Sequence, residues 1–339
     1  MKKLLFLIIF PYLLINCKPE TKTATEDIKN PQTRNVNKDP NKALLVTSDV
    51  DNFWNAFDKA YDTEKQQLKE DAVTIFDTYY LKKGSEGLKQ FAEWKFRDSL
   101  QFTNQIEKYI DYYLSAREST LAVTKHTEAI RDAYRKFDNI YPEAVFPNTY
   151  FVIGILNSGG TISDEGLLIG TEMYGRTEET PVEILSDWHN SVIKPIENIS
   201  YVTAHESIHY NQKLKPSGSL PDLLSNAIVE GAADFISKLI SGGNFNNSHI
   251  HEWANKREAE LWKEFKEVMY EKEAVKDWMY NSVNAKDKPA DLGYYMGYKI
   301  VEHYYNNTSD KAKAIRDILE LENASDFLKK SNYASKFGE

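Results

Sequence analysis

The chain has 339 residues, of which 41% are hydrophobic and 27% charged, with a formal net charge of −9. That apolar content is enough for one large core or two small ones and excludes disorder as an overall description. The acidic balance, with no basic stripe along the chain, excludes a counterion-release grip on nucleic acid.

Residues 1–16 open with Lys2 and Lys3 and continue as an apolar run from Leu4 to Ile15. The run is too short to span a bilayer comfortably and has the layout of a secretory leader. Cys17, the only cysteine, closes that leader behind Leu14-Ile15-Asn16, an order that resembles a bacterial lipobox with Asn16 in place of the usual Gly, Ala or Ser. A solitary cysteine elsewhere would read as an ordinary core residue. At this position it reads as a lipidation site. The expectation is an exported chain, lipid-anchored to the bacterial cell envelope at the outer membrane and free of disulfides. Residues 17–41 are polar, rich in proline and without apolar periodicity, which reads as a flexible tether.

From 42 to 141 the pattern is helical, with Phe53, Trp54, Phe57 and Tyr61 at three- and four-residue spacings and similar stripes in LKQFAEWKF and IEKYIDYYL. Such stripes are the core-facing sides of helices. His126 reads as a helix-surface residue. The texture changes at Pro142. TYFVIGIL (149–156) and GLLIGTEMYG (166–175) are β-rich and separated by NSGGTISDE, so a hairpin or strand pair is expected. Helical patterns return around residue 205, then over 220–241, 253–270 and 292–305. The predicted class is α+β, predominantly α, with a small sheet ahead of the helix at 205. Regions 42–141 and 142–339 are expected to form one continuous globular domain.

That helix carries TAHESIHY (203–210). Residues at i and i+4 share a helix face, so His205 and His209 can hold one ion between them, and Glu206 is rotated about 100° from His205, towards a water on that ion. Pro216-Ser217-Gly218 should break the helix, with Ser219 and Pro221 starting the next. That second helix returns antiparallel and brings Glu230 opposite the two histidines as a third ligand. Gly231, Ala232 and Ala233 would let the two helices approach closely. Asp234, one turn beyond Glu230, can accept the second ring N–H of a ligand histidine. Flanking apolar residues Val202, Ala204 and Ile208 argue against a solvated polar patch, and Zn²⁺ is the expected ion.

His205, Glu206, His209, Glu230 and Asp234 resemble the gluzincin pattern of zinc metallopeptidases. More narrowly, YFVIGILNSGGTISDEGLLIGTEMYG, AHESIHY, EGAADF and DLGYYMGYKIVEHYY resemble a family of predicted zinc-dependent proteases in bacterial lipoproteins, related to gliding-motility lipoproteins. The likeness runs over about 142–305. It implies a zincin-like catalytic region over 142–339, a peptide or protein substrate, and a sheet edge that binds extended substrate, with Gly159-Gly160-Thr161 either lining the cleft or forming a turn remote from it.

With three ligands the fourth zinc position would hold water, and Glu206 would take its proton as general base. A second oxyanion donor is sought in GYYMGYKIVEHYY, where Tyr298 or Tyr294 is the first candidate and His303 the next, the alternative being that these aromatics are core. His189, His249 and His251 lack partner spacing and read as surface residues. Two other functions compete with an envelope-anchored peptidase. One is a non-catalytic envelope lipoprotein that keeps the zincin fold as scaffold or binding module, which would not need Glu206; the other is a glycan binder, suggested by the 21 tyrosines.

Overall fold

The computed structural model describes residues 37–216, 220–242, 248–282, 285 and 287–339. The leader, Cys17 and the tether up to residue 36 lie outside the described residues. Helix accounts for 63% and strand for 6%, so the protein is α+β and predominantly helical. Residues from Asn35 to Glu339 form one compact unit. The fold begins before the expected boundary at Lys42: Asn37 forms a β-bridge to Phe146, and Pro40 is buried.

After the short strand β1 (Leu45–Val46), α1 (Ser48–Ala60) buries Phe53, Trp54 and Phe57 of the predicted stripe, together with Val50, whereas Tyr61 falls just beyond the helix and is half-buried. A small antiparallel ribbon follows, β2 (Tyr61–Asp62) with β3 (Gln67–Leu68). Then come α2 (Ala72–Phe76), extended by a π-helical turn at Asp77–Leu81, α3 (Glu86–Lys95), α4 (Ser99–Lys108), α5 (Ile110–Leu121) and α6 (Thr127–Ile140). Two of these starts are fixed by side chains. Ser85 Oγ accepts from Leu88 N, and Asp98 Oδ1 from Gln101 N, each satisfying an N–H that helix geometry leaves unpaired. Phe53, Phe76, Tyr80, Phe102 and Tyr113 pack as one aromatic cluster, with ring centroids 5.4–6.2 Å from Phe53.

In the sheet the expected strand pair forms, but not as a hairpin. β4 (Thr149–Val152) and β6 (Leu167–Gly170) are neighbours but parallel, with Thr149 opposite Leu167, so they are not a hairpin. The segment between them contains a further strand, β5 (Thr161–Ile162), which turns back to pair antiparallel with β6. The order is β1-β4-β6-β5, leaving β5 at the edge. Both long strands are buried throughout, as parallel strands covered on two faces require.

After α7 (Asp187–Val192), α8 (Ile199–Asn211) packs on β5 and β6, and α9 (Leu223–Ser241) on α8. Asp222 caps α9 by accepting from Ser225 N, in place of the start expected at Ser219 and Pro221, and Gly242 ends it at φ +61. The pattern predicted over 253–270 resolves into α10 (Ser248–Ala254) and α11 (Glu258–Val268). After α12 (Val275–Trp278) comes α13 (Leu292–Asn307), and α14 (Lys311–Leu319) and α15 (Ala324–Ser331) complete the chain.

Gly231 of α9 serves a different contact from the one expected. A Cβ on Gly231 would lie 2.1 Å from Tyr298 N, and one on Gly297 would lie 1.7 Å from Ala227 O. Gly231 therefore admits α13, and the two helices touch backbone to backbone.

Candidate metal centre

One turn of α8 separates His205 from His209, and their rings stand nearly perpendicular with centroids 4.5 Å apart. Glu230 of α9 places Oε2 3.3 Å from His205 Nε2 and 3.1 Å from His209 Nε2. These three side chains are the group that could hold a metal ion among the described residues, with ligand atoms within 4.8 Å of one another.

The outer contacts decide which ring nitrogens face inward. Asp234 Oδ1 accepts from His205 Nδ1 at 2.9 Å and from the Tyr201 hydroxyl at 2.8 Å. Gln212 donates its amide nitrogen to Val229 O at 2.8 Å, which turns Oε1 towards His209 Nδ1 at 2.7 Å. Each Nδ1 thus carries a proton, and each Nε2 faces the same point as Glu230 Oε2. Three electron-rich atoms converging in a buried site require a positive charge between them, either a proton or a cation. Burial opposes protonation of His205, yet the hydrogen bonds it donates to Asp234 and Glu230 outweigh it and hold its pKa well above the usual imidazole value. Two imidazole nitrogens and one carboxylate oxygen, each histidine oriented by its own acceptor, are a donor set that fits Zn²⁺.

Glu206 projects into a cavity of about 330 Å³ bounded by Gly160, Thr161 and Ile162 on one side and by the histidines, Glu230 and Tyr294 on the other. Its carboxylate makes no hydrogen bond to any described residue. Gly160 lies so close that a Cβ there would be 2.8 Å from Glu206 Oε1, so a side chain at that point would push the Glu206 carboxylate aside. Of Gly159-Gly160-Thr161, Gly160 and Thr161 line the cavity and are not remote from the histidines, whereas Gly159 lies against Tyr174. Lys95, at the end of α3, feels the Glu206 charge; burial lowers its pKa and Glu206 partly restores it.

The loop that delivers Gly160 is pinned by distant side chains. The Tyr80 hydroxyl donates to Ile153 O at 2.6 Å and accepts from Ile153 N at 2.8 Å, and Tyr113 donates to Gly154 O. Buried Glu172 accepts from Gly154 N at 2.8 Å and Leu156 N at 3.2 Å. His189 Nε2 lies 3.1 Å from Leu156 O. His189 is thus buried and structural, not a surface residue, because its ring fills the space beside this loop.

Of the oxyanion candidates, Tyr294 lines the cavity and Tyr298 does not. Tyr298 packs against Phe235 and His251, and its hydroxyl accepts from Lys238 at 3.2 Å. His303 packs on Tyr333. His251, expected at the surface, packs on Tyr295 and Tyr298, whereas His249 is exposed. Three contacts were not anticipated. Gln212 follows His209 by three residues and Tyr201 precedes His205 by four, spacings that place them on the histidine face. Tyr280, whose hydroxyl donates to Glu230 Oε1 at 3.0 Å, comes from a loop with no periodic signal.

Fold and site define a predominantly helical α+β protein with a buried three-residue constellation capable of holding a metal. The sequence profile of the family described as Gliding motility protein GldB matches residues 33–335, and the chain belongs to this gliding-motility lipoprotein family. The match takes in the N-terminal helices, which carried little of the resemblance seen over 142–305. Membership associates the protein with the cell envelope. No described helix is long and apolar enough to cross a membrane. No curated protein and no solved structure matches the chain.

Proposed function

We propose that the protein is a zinc-dependent metallopeptidase of gluzincin type, with a zincin-like arrangement of sheet edge, histidine helix and glutamate helix, held to the outer membrane through Cys17. The observation that carries this reading is that each histidine commits Nδ1 to its own acceptor, aiming both Nε2 atoms and Glu230 Oε2 at one point. His205, His209 and Glu230 would hold the ion. Bound zinc supplies a polarising charge and lowers the pKa of its water towards about 7. Glu206, open to the cavity, accepts the attacking water's proton and passes it to the leaving amine. The unpaired side of β5 aligns an extended peptide through main-chain hydrogen bonds, and Gly160 lets it pass close to Glu206. Tyr294, in the cavity wall, is the donor for the developing oxyanion.

A second reading, a non-catalytic envelope lipoprotein using the same fold as a binding surface, is favoured by membership of a gliding-motility family. Glu206→Gln separates the two. The amide keeps the shape but cannot accept a proton, so the variant should retain wild-type zinc content and lose about 10²- to 10⁴-fold in cleavage of a peptide library. A zinc-loaded wild type that cleaves nothing in the library would leave the binding reading standing.

A further inference from the structure

Glu230 has two carboxylate oxygens, and the structure treats them differently. Oε2 lies against both histidines, whereas Oε1 is 3.0 Å from the Tyr280 hydroxyl. Resting on the metal reading above, we propose that Tyr280 is a positioning residue that confines Glu230 to ligation through Oε2 alone, keeping a coordination position open for water.

Tyr280 is well suited to hold that oxygen. Its backbone is left-handed, φ +56, a conformation that bulky residues rarely adopt and that persists only where surrounding structure enforces it. The enforcement is visible on both sides. Met279 is fully buried and packs against Gly293, where a Cβ would fall 2.4 Å from Met279 Cγ. Asn281 Oδ1 accepts from Asp291 N at 2.9 Å, and the Asp291 carboxylate faces the backbone N–H groups of Tyr280 and Asn281. The ring then stands edge-on to Tyr294 at 5.9 Å, so its direction is set from the backbone and from the side. Although Tyr280 is 61% exposed overall, its hydroxyl turns inward onto Glu230. A carboxylate with both oxygens free can chelate a cation through both; a donor fixed on one oxygen occupies one of its lone pairs and holds it turned away, disfavouring that mode.

Tyr280→Phe removes a hydroxyl, and with it the hydroxyl interaction with Tyr294, but keeps the edge-on ring contact with Tyr294, so the variant is expected to fold. The test loads full-length wild type and Y280F with Co²⁺ and records the visible d–d absorption, which weakens as coordination number rises above four. Competition with a chelator then gives relative affinity. Y280F should show a weaker band and an affinity lowered by about 10- to 100-fold, the range for losing a group that orients a metal ligand. Superimposable spectra and equal competition in the two proteins would overturn the role of Tyr280 while leaving the metal site intact. A wild type that binds no Co²⁺ would overturn the metal reading itself, and this inference with it.

Discussion

Glu230 and Glu172 are both buried glutamates, and they carry opposite electrostatic burdens. At Glu230 burial favours the neutral acid, but two histidine rings beside it outweigh that cost and hold its pKa far below the usual carboxylate range. At Glu172 burial wins: among the described residues no cation offsets it, backbone N–H groups only partly compensate, and its pKa is pushed up to about 7. Burial alone therefore does not set a carboxylate's charge; the neighbours do. One glutamate is arranged to meet positive charge. The other is a fastener for the loop that carries Gly160.

Removing the charge at Glu230 should have the largest effect. Glu230→Gln keeps volume but offers a neutral oxygen, leaving two histidines as the only strong ligands, fewer than a protein zinc site uses. On the zinc reading proposed above, elemental analysis should find one ion per chain in the wild type and close to none in the variant. Retention of a full equivalent would mean that the ion sits elsewhere.

Glu172→Gln should act on stability, in a pH-dependent way. The folded pKa of about 7 exceeds the ordinary 4.5, so the native state binds more protons than the unfolded chain between those values. Wild-type stability then falls as pH rises through that window. The full shift corresponds to at most about 3 kcal/mol. Glutamine does not titrate, but it can turn only one oxygen to Gly154 N and Leu156 N, so it should be less stable than wild type at the acidic end. The gap should narrow as pH rises from about 4.5 to about 7. Urea midpoints for the two proteins across that range would show it, and parallel pH profiles would contradict it.

The contrast also explains what could be read from the sequence. His205, Glu206 and His209 lie within one helical turn, and Glu230 returns on the next helix, so period and a turn signal were enough to bring them together. Glu172 and Tyr80 act on the loop at Ile153 and Gly154 from outside any helical period, and Tyr80 reaches Ile153 across 73 positions. Inside an aromatic run such a tyrosine reads as core, which it also is. β4 and β6 have the composition of any buried strand pair, and composition does not distinguish parallel from antiparallel. Their connection is long enough to hold β5, and that was the available clue. Tyr298 looked equivalent to Tyr294 by spacing. Gly231 and Gly297 decide otherwise, by drawing α13 so tightly onto α9 that Tyr298 is directed to Lys238 and Tyr294 to the cavity.

The smallest effect is expected at Asp234, which touches the site only through His205. Its Oδ1 accepts from both His205 Nδ1 and Tyr201, so it fixes the ring's tautomer and tilt. Asp234→Asn can keep an oxygen in that place and preserve both hydrogen bonds, but it removes the negative charge that raises the basicity of the ring. Zinc affinity, measured by chelator competition, should drop by about 10- to 100-fold, the range for changing a group behind a metal-bound histidine. Asp234→Ala should lose more, because His205 Nδ1 and the Tyr201 hydroxyl would then both be left buried without an acceptor. Equal losses in the two variants would assign the role of Asp234 to its charge alone, and an unchanged affinity in both would remove it from the site.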